Sequence, residues 1–427
     1  MDNCSENHTV WLYIVSRPDN DNTSIELNDD SNSNVQHPSF TSVTLKDENV
    51  GEEDFLDKHN HPRLRRTLIR NALRAKESKK IRFIFPKERE SCFKDLYSLV
   101  HCPNMLKFLD EGWDLWVKLG PEGRDEGNIP NSYNVTSSGD SIPPFIPTSA
   151  PLHRDKYTQR AGVSILGQIG YYCIDTLTPI VSSLREELLW DAAIVRTAVE
   201  TSISTASSSS TEVLHPCNHR FVTYAVTTHP GHHSSYESYG GYCYLNHAAM
   251  AARLFQQTEG YAKVAILDVD YDCGNGTASI FYDDPTVLVV SIHCDPAYEY
   301  PFHSGYADET GVQASALGTT LHIPLPPHTY WEGYKNALIH AMQYISDKFE
   351  PDALVVSLGL DTYDGDQVAV RRAGFHLKED DYKEMGRIIG TLSPKRIPIV
   401  VVQEGGYLMT VVGQAASDVV TGISFLE

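Results

Sequence analysis

The sequence lacks several features that would place it in a particular class of protein. No apolar run approaches the roughly 20 residues that a membrane-spanning helix needs. No GxGxxG or GxxxxGKS/T motif follows a predicted strand, which argues against a nucleotide-binding fold. The start, Met1–Glu6, is acidic and polar. It therefore lacks the basic residues of a secretory or mitochondrial signal, and we expect a protein of the cytoplasm or nucleus.

Positive charge and paired cysteines are also scarce. The 427 residues include 35 Lys and Arg against 56 Asp and Glu, which gives a formal net charge of −21. This balance argues against a duplex-binding groove, which needs clustered basic residues, and it suits a cationic ligand. The 8 cysteines are scattered without a CxxC pair. Their spacing favours reduced thiols over a disulfide framework or a cysteine zinc site.

The chain divides into a polar N-terminal region and a long region of alternating helix and strand patterns. Within residues 1–16, Val10–Val15 is a β-prone run that we interpret as an edge strand on a tail, although a fully disordered N-terminus fits equally well. Residues 17–60 are rich in Asn, Asp, Ser and Glu, which predicts a disordered acidic insert. Residues 61–427 form one predicted α/β domain, with a long loop between Gly120 and Pro151.

Short aliphatic runs in the second half of the chain alternate with helical patterns. This alternation predicts a single large three-layer domain with a mainly parallel sheet flanked by helices. Ligands of such sheets bind beyond the carboxyl ends of the strands. The predicted strands are Val264–Leu267, Val287–Val290, Ala353–Val356 and Ile397–Val402, and the helices between them are Ala248–Gln257, Trp331–Phe349 and Asp380–Leu392.

Carboxylates follow two of these strands. Asp268, Asp270 and Asp272 alternate, so an extended segment points all three to one face. Such like charges repel unless a cation sits among them. A solvated acidic turn is the alternative for this motif, and Asp361 could equally cap a helix.

Groups that move or donate protons lie at other strand ends. The adjacent histidines His232 and His233 can transfer protons, and the phenol of Tyr407 can donate to an oxyanion. Each is a weak signal alone, since histidine pairs and Gly-Gly-Tyr turns are common on surfaces. Combined with clustered carboxylates, they indicate metal-assisted hydrolysis.

The order of these motifs resembles one known family. The segments concerned are His229–His233, Gly240–Asn246, Leu267–Tyr271, Gly274–Thr277, Ser291–Pro296, Ser357–Asp361 and Glu404–Tyr407, joined by Asp175–Ile180 and Gly305–Gly311. From about Pro62 onward the chain resembles the histone deacetylase and acetylpolyamine amidohydrolase family of the arginase–deacetylase superfamily, and within it the polyamine and class II-like branch. The resemblance implies a hydrolase of linear amides with the arginase–deacetylase fold.

The resemblance implies two ion sites. A catalytic Zn²⁺ would be held by Asp270, Asp272 and Asp361. A structural K⁺ would use Asp268 and Asp270, with main-chain carbonyls at residues 272, 291 and 292.

The resemblance also implies catalytic roles for the two histidines. His233 would be the general base for the attacking water, and His232 would give electrostatic support or act as the acid. Asp268 would buttress His232, and Asn275 would buttress His233, which fixes the tautomer of each ring.

Three tyrosines receive implied roles from the same resemblance. Tyr407 would donate its hydroxyl to the tetrahedral oxyanion. Tyr242 and Tyr300 would line a narrow channel for the acylated amine. The implied partner is an acetylated cationic substrate, with no nucleic-acid groove and no membrane. The polyamine branch is often dimeric, which leaves a homodimer open.

Position 272 departs from the family pattern, which has a histidine there, usually followed by another. Here the residues are Asp272 and Cys273. An aspartate oxygen lies two bonds beyond Cβ, as does histidine Nδ1, so Asp272 can reach the metal. Three carboxylates, however, leave the site at −1, weaken Lewis acidity and shift preference toward Mn²⁺, Mg²⁺ or Fe²⁺. Cys273 faces away from Asp272 on an extended segment and is not expected to join this site.

Two functions therefore remain open. One is a metal-dependent amidohydrolase acting on acetyl-lysine, in histones or other proteins, or on acetylpolyamines. The other is a deacetylase-fold pseudoenzyme that serves as a binding or scaffold protein because of Asp272. A ureohydrolase of arginase type is disfavoured, since the ligands of its second metal are missing.

Overall fold

The computed structural model describes residues 12–18, 25–26, 44–45, 62–120, 146–147, 162–208, 220–312, 314–369, 374–394 and 397–424. Its centre is an 8-stranded sheet in which every pairing between neighbours is parallel. Helices cover both faces. This is the three-layer α/β fold that the alternation of strand and helix patterns predicts.

The strands of the sheet lie in the order β4–β1–β5–β10–β9–β6–β7–β8. A separate pair of short strands, β2 and β3, is antiparallel. The strands are β1 (Leu12–Val15), β2 (Ile25–Glu26), β3 (Thr44–Leu45), β4 (Ile81–Ile84), β5 (Val222–Ala225), β6 (Val264–Asp268), β7 (Val287–Cys294), β8 (Thr320–Leu325), β9 (Ala353–Leu358) and β10 (Ile399–Gln403).

Ten α-helices are seen in the described residues, and none of the described helices is long and apolar enough to cross a bilayer. The helices are α1 (Pro62–Ala75), α2 (Phe93–Tyr97), α3 (Pro103–Lys118), α4 (Ile165–Tyr172), α5 (Leu184–Ser208), α6 (His247–Gln256), α7 (Asn275–Phe281), α8 (Trp331–Tyr344, continued by a π-turn at Ile345–Phe349), α9 (Glu379–Leu392) and α10 (Val412–Ser424).

Alternate side chains of the strands enter two separate hydrophobic cores. On β7, Val287 and Val289 belong to one core, whereas Leu288 and Val290 belong to the other. Every residue of β5, β6, β7, β9 and β10 is buried. Burial on both faces explains why these strands are continuous aliphatic runs without polar alternation.

The N-terminal strand is not at the edge, so the edge-strand prediction is wrong. β1 pairs with β4 on one side and β5 on the other, and β4 forms the edge. Leu12 and Ile14 face one core and Val15 the other, so this strand is buried on both faces, as is typical of the inner strands of a parallel sheet. Most of two predicted segments lies outside the described residues. Of the acidic insert predicted at 17–60, the structure describes 17–18, β2 and β3. Of the loop predicted at 120–151, it describes 120 and 146–147.

The cysteines of the described residues agree with the prediction of reduced thiols. Six cysteines are present as thiols and not as disulfides, namely Cys92, Cys102, Cys173, Cys243, Cys273 and Cys294. Cys4 and Cys217 lie outside the described residues.

Candidate active site

The polar motifs come together at the carboxyl ends of four neighbouring strands. β5, β10, β9 and β6 are adjacent in the sheet and run in the same direction. β5 is followed by His232 and His233, β10 by Gly405–Tyr407, and β9 by Asp361. β6 ends at Asp268, and the other two alternating aspartates follow it. The topology therefore places the candidate site where ligands of parallel sheets bind.

The alternating aspartates are locked by their own main chain. The amide of Asp270 donates to Asp268 Oδ1 at 3.1 Å, and the amide of Asp272 donates to Asp270 Oδ1 at 3.0 Å. A side chain at Gly274 would come within 2.1 Å of Asp268 Oδ2, so the following turn has room only for glycine. The carboxylates of Asp268 and Asp270 are thus oriented before any ligand binds.

The two histidines stand side by side with different partners. Their ring centroids are 4.0 Å apart. His232 Nδ1 lies 3.0 Å from Asp268 Oδ2, and His233 Nδ1 lies 2.7 Å from Asn275 Oδ1. These are the pairs that the family resemblance implies. A carboxylate supports one ring and a neutral amide the other, so the rings differ in charge preference.

The surroundings push the pKa values of the two histidines apart. Burial alone would lower the pKa of His232, but the charges of Asp270 and Asp268 raise it well above its usual range. Burial and the positive charge of His232 hold the pKa of His233 well below its usual range. These shifts favour the charged form of His232 and the neutral form of His233, and a neutral imidazole is the form that can accept a proton.

Buried carboxylates outside the predicted site fix the histidine loop. Glu404 accepts hydrogen bonds from the amides of Gly231 and His232, at 2.5 and 3.1 Å. From α5, Asp191 accepts from the amide of Thr228 at 2.7 Å. Sequence reasoning assigned no role to Glu404 or Asp191, because they lie 173 and 37 residues from the groups they hold.

Asp270 and Asp361 converge beside Gly405. The amide of Gly405 donates to Asp270 Oδ2 at 2.9 Å. A side chain on this glycine would meet Asp361 Oδ2 at 2.1 Å and Asp270 Oδ2 at 2.8 Å. Burial and the charge of Asp270 raise the pKa of Asp361 well above its usual range. Two buried carboxylates that face one small space fit a bound cation, which would offset their repulsion.

Asp272 is placed differently. Its Oδ2 lies 3.9 Å from His233 Nε2. In the described part of the chain, two groups of three side chains bring metal-ligating atoms within 4.8 Å of one another, namely His232–Cys243–Glu404 and Cys273–His293–His322. The trio of Asp270, Asp272 and Asp361 is not among them. Its joint ligation of one ion stays a prediction, as does the K⁺ site.

Tyr407 lies against the site on a rigid support. Its side chain is buried and its ring centroid lies 5.6 Å from that of Tyr242. Its amide donates to Asp366 Oδ2 at 2.7 Å. The buried guanidinium of Arg65, on α1, lies 5.5 Å from the centre of the Tyr407 ring. Arg65 and Asp366 are supports that no local sequence pattern revealed.

The carboxylate of Asp175 accepts hydrogen bonds from Tyr300 and from the residue before Tyr242. The Tyr300 ring packs edge-on against His233, with centroids 4.7 Å apart. Its hydroxyl donates to Asp175 Oδ2 at 3.3 Å, and the same oxygen accepts from the amide of Gly241 at 2.5 Å. Asp175 therefore positions both tyrosine-bearing segments. The only sequence signal for it was the polyamine-branch motif that begins at this residue.

Comparisons with known proteins show the family of this chain. The family model of the histone deacetylase domain matches residues 59–423. The acetylpolyamine amidohydrolase of Mycoplana ramosa is 35% identical over 325 residues, which cover 76% of this chain and 82% of that protein. Histone deacetylase 8 of Arabidopsis thaliana is 32% identical over 225 residues, 52% of this chain and 56% of that protein.

A solved structure extends the similarity to the whole fold. The crystal structure of acetylpolyamine aminohydrolase from Burkholderia pseudomallei superposes with a TM-score of 0.69, covering 96% of this chain and 98% of that chain at 25% identity. The fold and site define a deacetylase-like α/β protein. The chain belongs to the histone deacetylase domain family and is similar to its acetylpolyamine amidohydrolases.

Proposed function

We propose that this protein is a metal-dependent amidohydrolase that removes the acetyl group from small N-acetylated amines, with acetylpolyamines as the preferred class. One observation carries the proposal: two adjacent histidines, one bonded to a carboxylate and the other to an amide, lie beside carboxylates that suit a cation. This arrangement supplies a base and a site of positive charge next to a place for an acetyl group.

The side chains divide the chemistry of amide hydrolysis among them. A divalent cation held by Asp270 and Asp361, when bound, would polarise the acetyl carbonyl. His233 Nε2 takes a proton from the attacking water, and Tyr407 donates a hydrogen bond to the developing oxyanion. The proton then passes to the departing nitrogen, so that acetate and a free amine leave.

Two observations favour a small polycation as the substrate. Relatives that are similar over three quarters of this chain are acetylpolyamine amidohydrolases, for example the protein of Mycoplana ramosa with 76% coverage. The net charge of −21 attracts cations over long range. An acetylated diamine or triamine keeps at least one ammonium group, whereas an acetylated protein loop need carry no charge.

A binding protein without catalysis is the second candidate. It is favoured by the position of Asp272, which faces His233 and does not complete a three-ligand group with Asp270 and Asp361. Such a protein would bind acetylated amines and release them unchanged.

The full chain, purified without chelators, separates these candidates. Metal content is measured by elemental analysis, and acetate release is measured with an N-acetylated diamine and with an acetyl-lysine peptide. Turnover of the diamine at the higher kcat/KM supports the proposal. Faster turnover of the peptide overturns the substrate class, and binding without turnover after addition of Zn²⁺, Mn²⁺ or Fe²⁺ supports the second candidate.

Matched variants assign any activity to this site. Asp361→Asn removes one carboxylate charge from the space beside Gly405 and should abolish acetate release. Asp347→Asn makes the same chemical change at an exposed position on the π-turn and should leave the rate unchanged. Equal rates for the two variants would contradict the assignment.

A further inference from the structure

A second cluster of metal-ligating side chains lies beside the candidate active site. Ser291 on β7 is in register with His322 on β8, and His293 is two residues beyond Ser291, so these side chains share one face of the sheet. Cys273 follows β6, the neighbour of β7 on its other side. Three consecutive strands therefore bring a thiol and two imidazoles together.

The spacing of the ligand atoms suits a tetrahedral ion. The Sγ of Cys273 lies 3.6 Å from Nδ1 of His322, and one ligand atom from each of the three residues lies within 4.8 Å of the other two. Bond lengths of about 2.3 Å to sulfur and about 2.0 Å to nitrogen put two ligands of tetrahedral zinc roughly 3.6 Å apart. All three residues are buried, with exposures of 0% for Cys273 and His293 and 3% for His322.

The remaining ring nitrogens face oxygen atoms that can orient them. His293 Nδ1 lies 2.8 Å from the hydroxyl of Ser291, and His322 Nε2 lies 3.9 Å from Oε2 of Glu309. The other carboxylate oxygen of Glu309 accepts from the amide of Gly305 at 3.0 Å. Histidines that ligate metals usually have such a partner on the nitrogen that does not bind.

Gly305 packs closely against the cluster and has no side chain that would cover its ligand atoms. A side chain at this position would come within 2.8 Å of Cys273 Sγ and 2.9 Å of His293 Nε2. That nitrogen now lies 2.8 Å from the carbonyl oxygen of Gly305. On binding, the carbonyl of Gly305 turns away from Nε2, the imidazole proton moves to Nδ1, where Ser291 Oγ accepts it, and the thiol proton that the ion displaces goes to solvent.

We propose that Cys273, His293 and His322 bind a Zn²⁺ ion at a site that is separate from the carboxylate site and lies beside the Gly305–Glu309 loop. Sulfur and imidazole ligands suit Zn²⁺, whereas oxygen ligands suit harder ions, so the two sites select different metals. The lack of a CxxC pair argues only against zinc sites with several cysteine ligands. The proposed site has a single cysteine ligand, Cys273.

Cobalt substitution tests the proposal with a readout that is independent of activity. Protein produced in cobalt-supplemented minimal medium should show the near-ultraviolet charge-transfer band of a thiolate bound to Co²⁺. Cys273→Ser should lose this band and about one metal ion per chain. Cys102→Ser is the matched control, since Cys102 is also buried but caps α3, where serine serves as well.

The result also distinguishes this site from the proposed amidohydrolase site. Asp361→Asn should abolish acetate release and keep the thiolate band, which would show that the two sites are independent. His322→Gln gives a second route to loss of the band if Cys273→Ser does not fold. A wild-type protein without the band, or a band that survives both cluster variants, overturns the proposal.

Discussion

His233 donates from Nδ1 to Oδ1 of Asn275, 2.7 Å away and 42 residues further along the chain. This hydrogen bond leaves Nε2 without a proton, and Nε2 is the nitrogen that faces the carboxylate of Asp272 at 3.9 Å. The amide of Asn275 thereby sets the tautomer that a general base needs, without adding charge beside a ring that burial keeps neutral.

The role of Asn275 can be tested by keeping or removing its acceptor oxygen. Asn275→Ala should lower kcat by about 10- to 100-fold with little change in KM, because the base loses its orientation. Asn275→Asp retains an acceptor oxygen at the same position and should keep more of the rate. Steady-state kinetics on the acetylated diamine gives both values. Equal losses in the two variants would show that the acceptor is not what matters.

Tyr407 should be essential for turnover and dispensable for folding. Tyr407→Phe keeps the ring that packs on Tyr242 and under Arg65 but removes the hydroxyl. The rate should fall by about 100-fold or more, as for the loss of an oxyanion donor. Tyr344→Phe, which removes a hydroxyl bonded to the carbonyl of Gly318, is the control for activity. A Tyr407→Phe enzyme with the wild-type rate would exclude Tyr407 as the donor.

Gly405 should tolerate no side chain if its neighbours hold a cation. Gly405→Ala would place a methyl group 2.1 Å from Asp361 Oδ2 and 2.8 Å from Asp270 Oδ2. Displacement of these oxygens should remove the cation and lower activity by about 100-fold or more. Elemental analysis and circular dichroism check that metal is lost while the fold persists.

The control for this change is a glycine with space around it. Gly112→Ala on α3 meets its nearest atoms at 3.7 Å, an ordinary contact, and should retain both metal and activity. An active Gly405→Ala protein with full metal content would contradict the placement of the cation.

Asp272 is predicted to weaken the catalytic metal site. Asp272→His should raise the affinity for Zn²⁺ by about tenfold or more, because it removes a negative charge and offers an imidazole ligand next to Asp270 and Asp361. The titration is best done in a Cys273→Ser background, so that only the carboxylate site is counted. Asp272→Asn removes the charge without adding an imidazole and serves as the comparison. Unchanged zinc affinity in Asp272→His would refute this view of the substitution.

Acid should destabilise the fold through His101. Its Nε2 accepts from the amide of Asn246 at 2.8 Å and its Nδ1 donates to the carbonyl of Ser235 at 2.7 Å, so the ring is neutral. Burial lowers its pKa to about 4, although the bond to Ser235 opposes this shift. The unfolded chain takes up the proton below about pH 6.5. Stability is therefore complete above that pH and falls toward pH 4, by on the order of 3 kcal/mol.

Calorimetry at several pH values checks the contribution of His101. His101→Gln keeps a polar side chain but does not titrate in this range. The variant should lose less thermal stability than the wild type between pH 7 and pH 4.5. Identical losses would place the acid sensitivity elsewhere.

Much of the fold followed from the sequence, because the central strands are buried on both faces and therefore read as continuous aliphatic runs. β5 and β8 were missed, since one is only four residues long and the other contains Pro324, which weakens a strand pattern. The helix patterns at 248–257 and 380–392 agree with α6 and α9 to within one residue at each end.

The buttresses of the candidate site could be predicted only in part. Asp268 and Asn275 were assigned these roles through the family resemblance, which rests on the segments Leu267–Tyr271 and Gly274–Thr277. Glu404, Asp191 and Arg65 were not assigned roles, because each acts on a segment distant in sequence. Such contacts depend on how helices and loops pack around the sheet, and no local periodicity reports that.

The order of residues along the chain shows which chemical groups follow which strands, and from this the family and the parallel α/β fold could be predicted. Tertiary packing determines which groups meet. It made β1 an inner strand, turned Asp272 toward His233, paired Asp270 with Asp361 beside Gly405, and brought Cys273 to His293 and His322. The physical reason is that strand order and register bring together side chains that lie far apart in the chain, and both arise only when the hydrophobic faces are buried together.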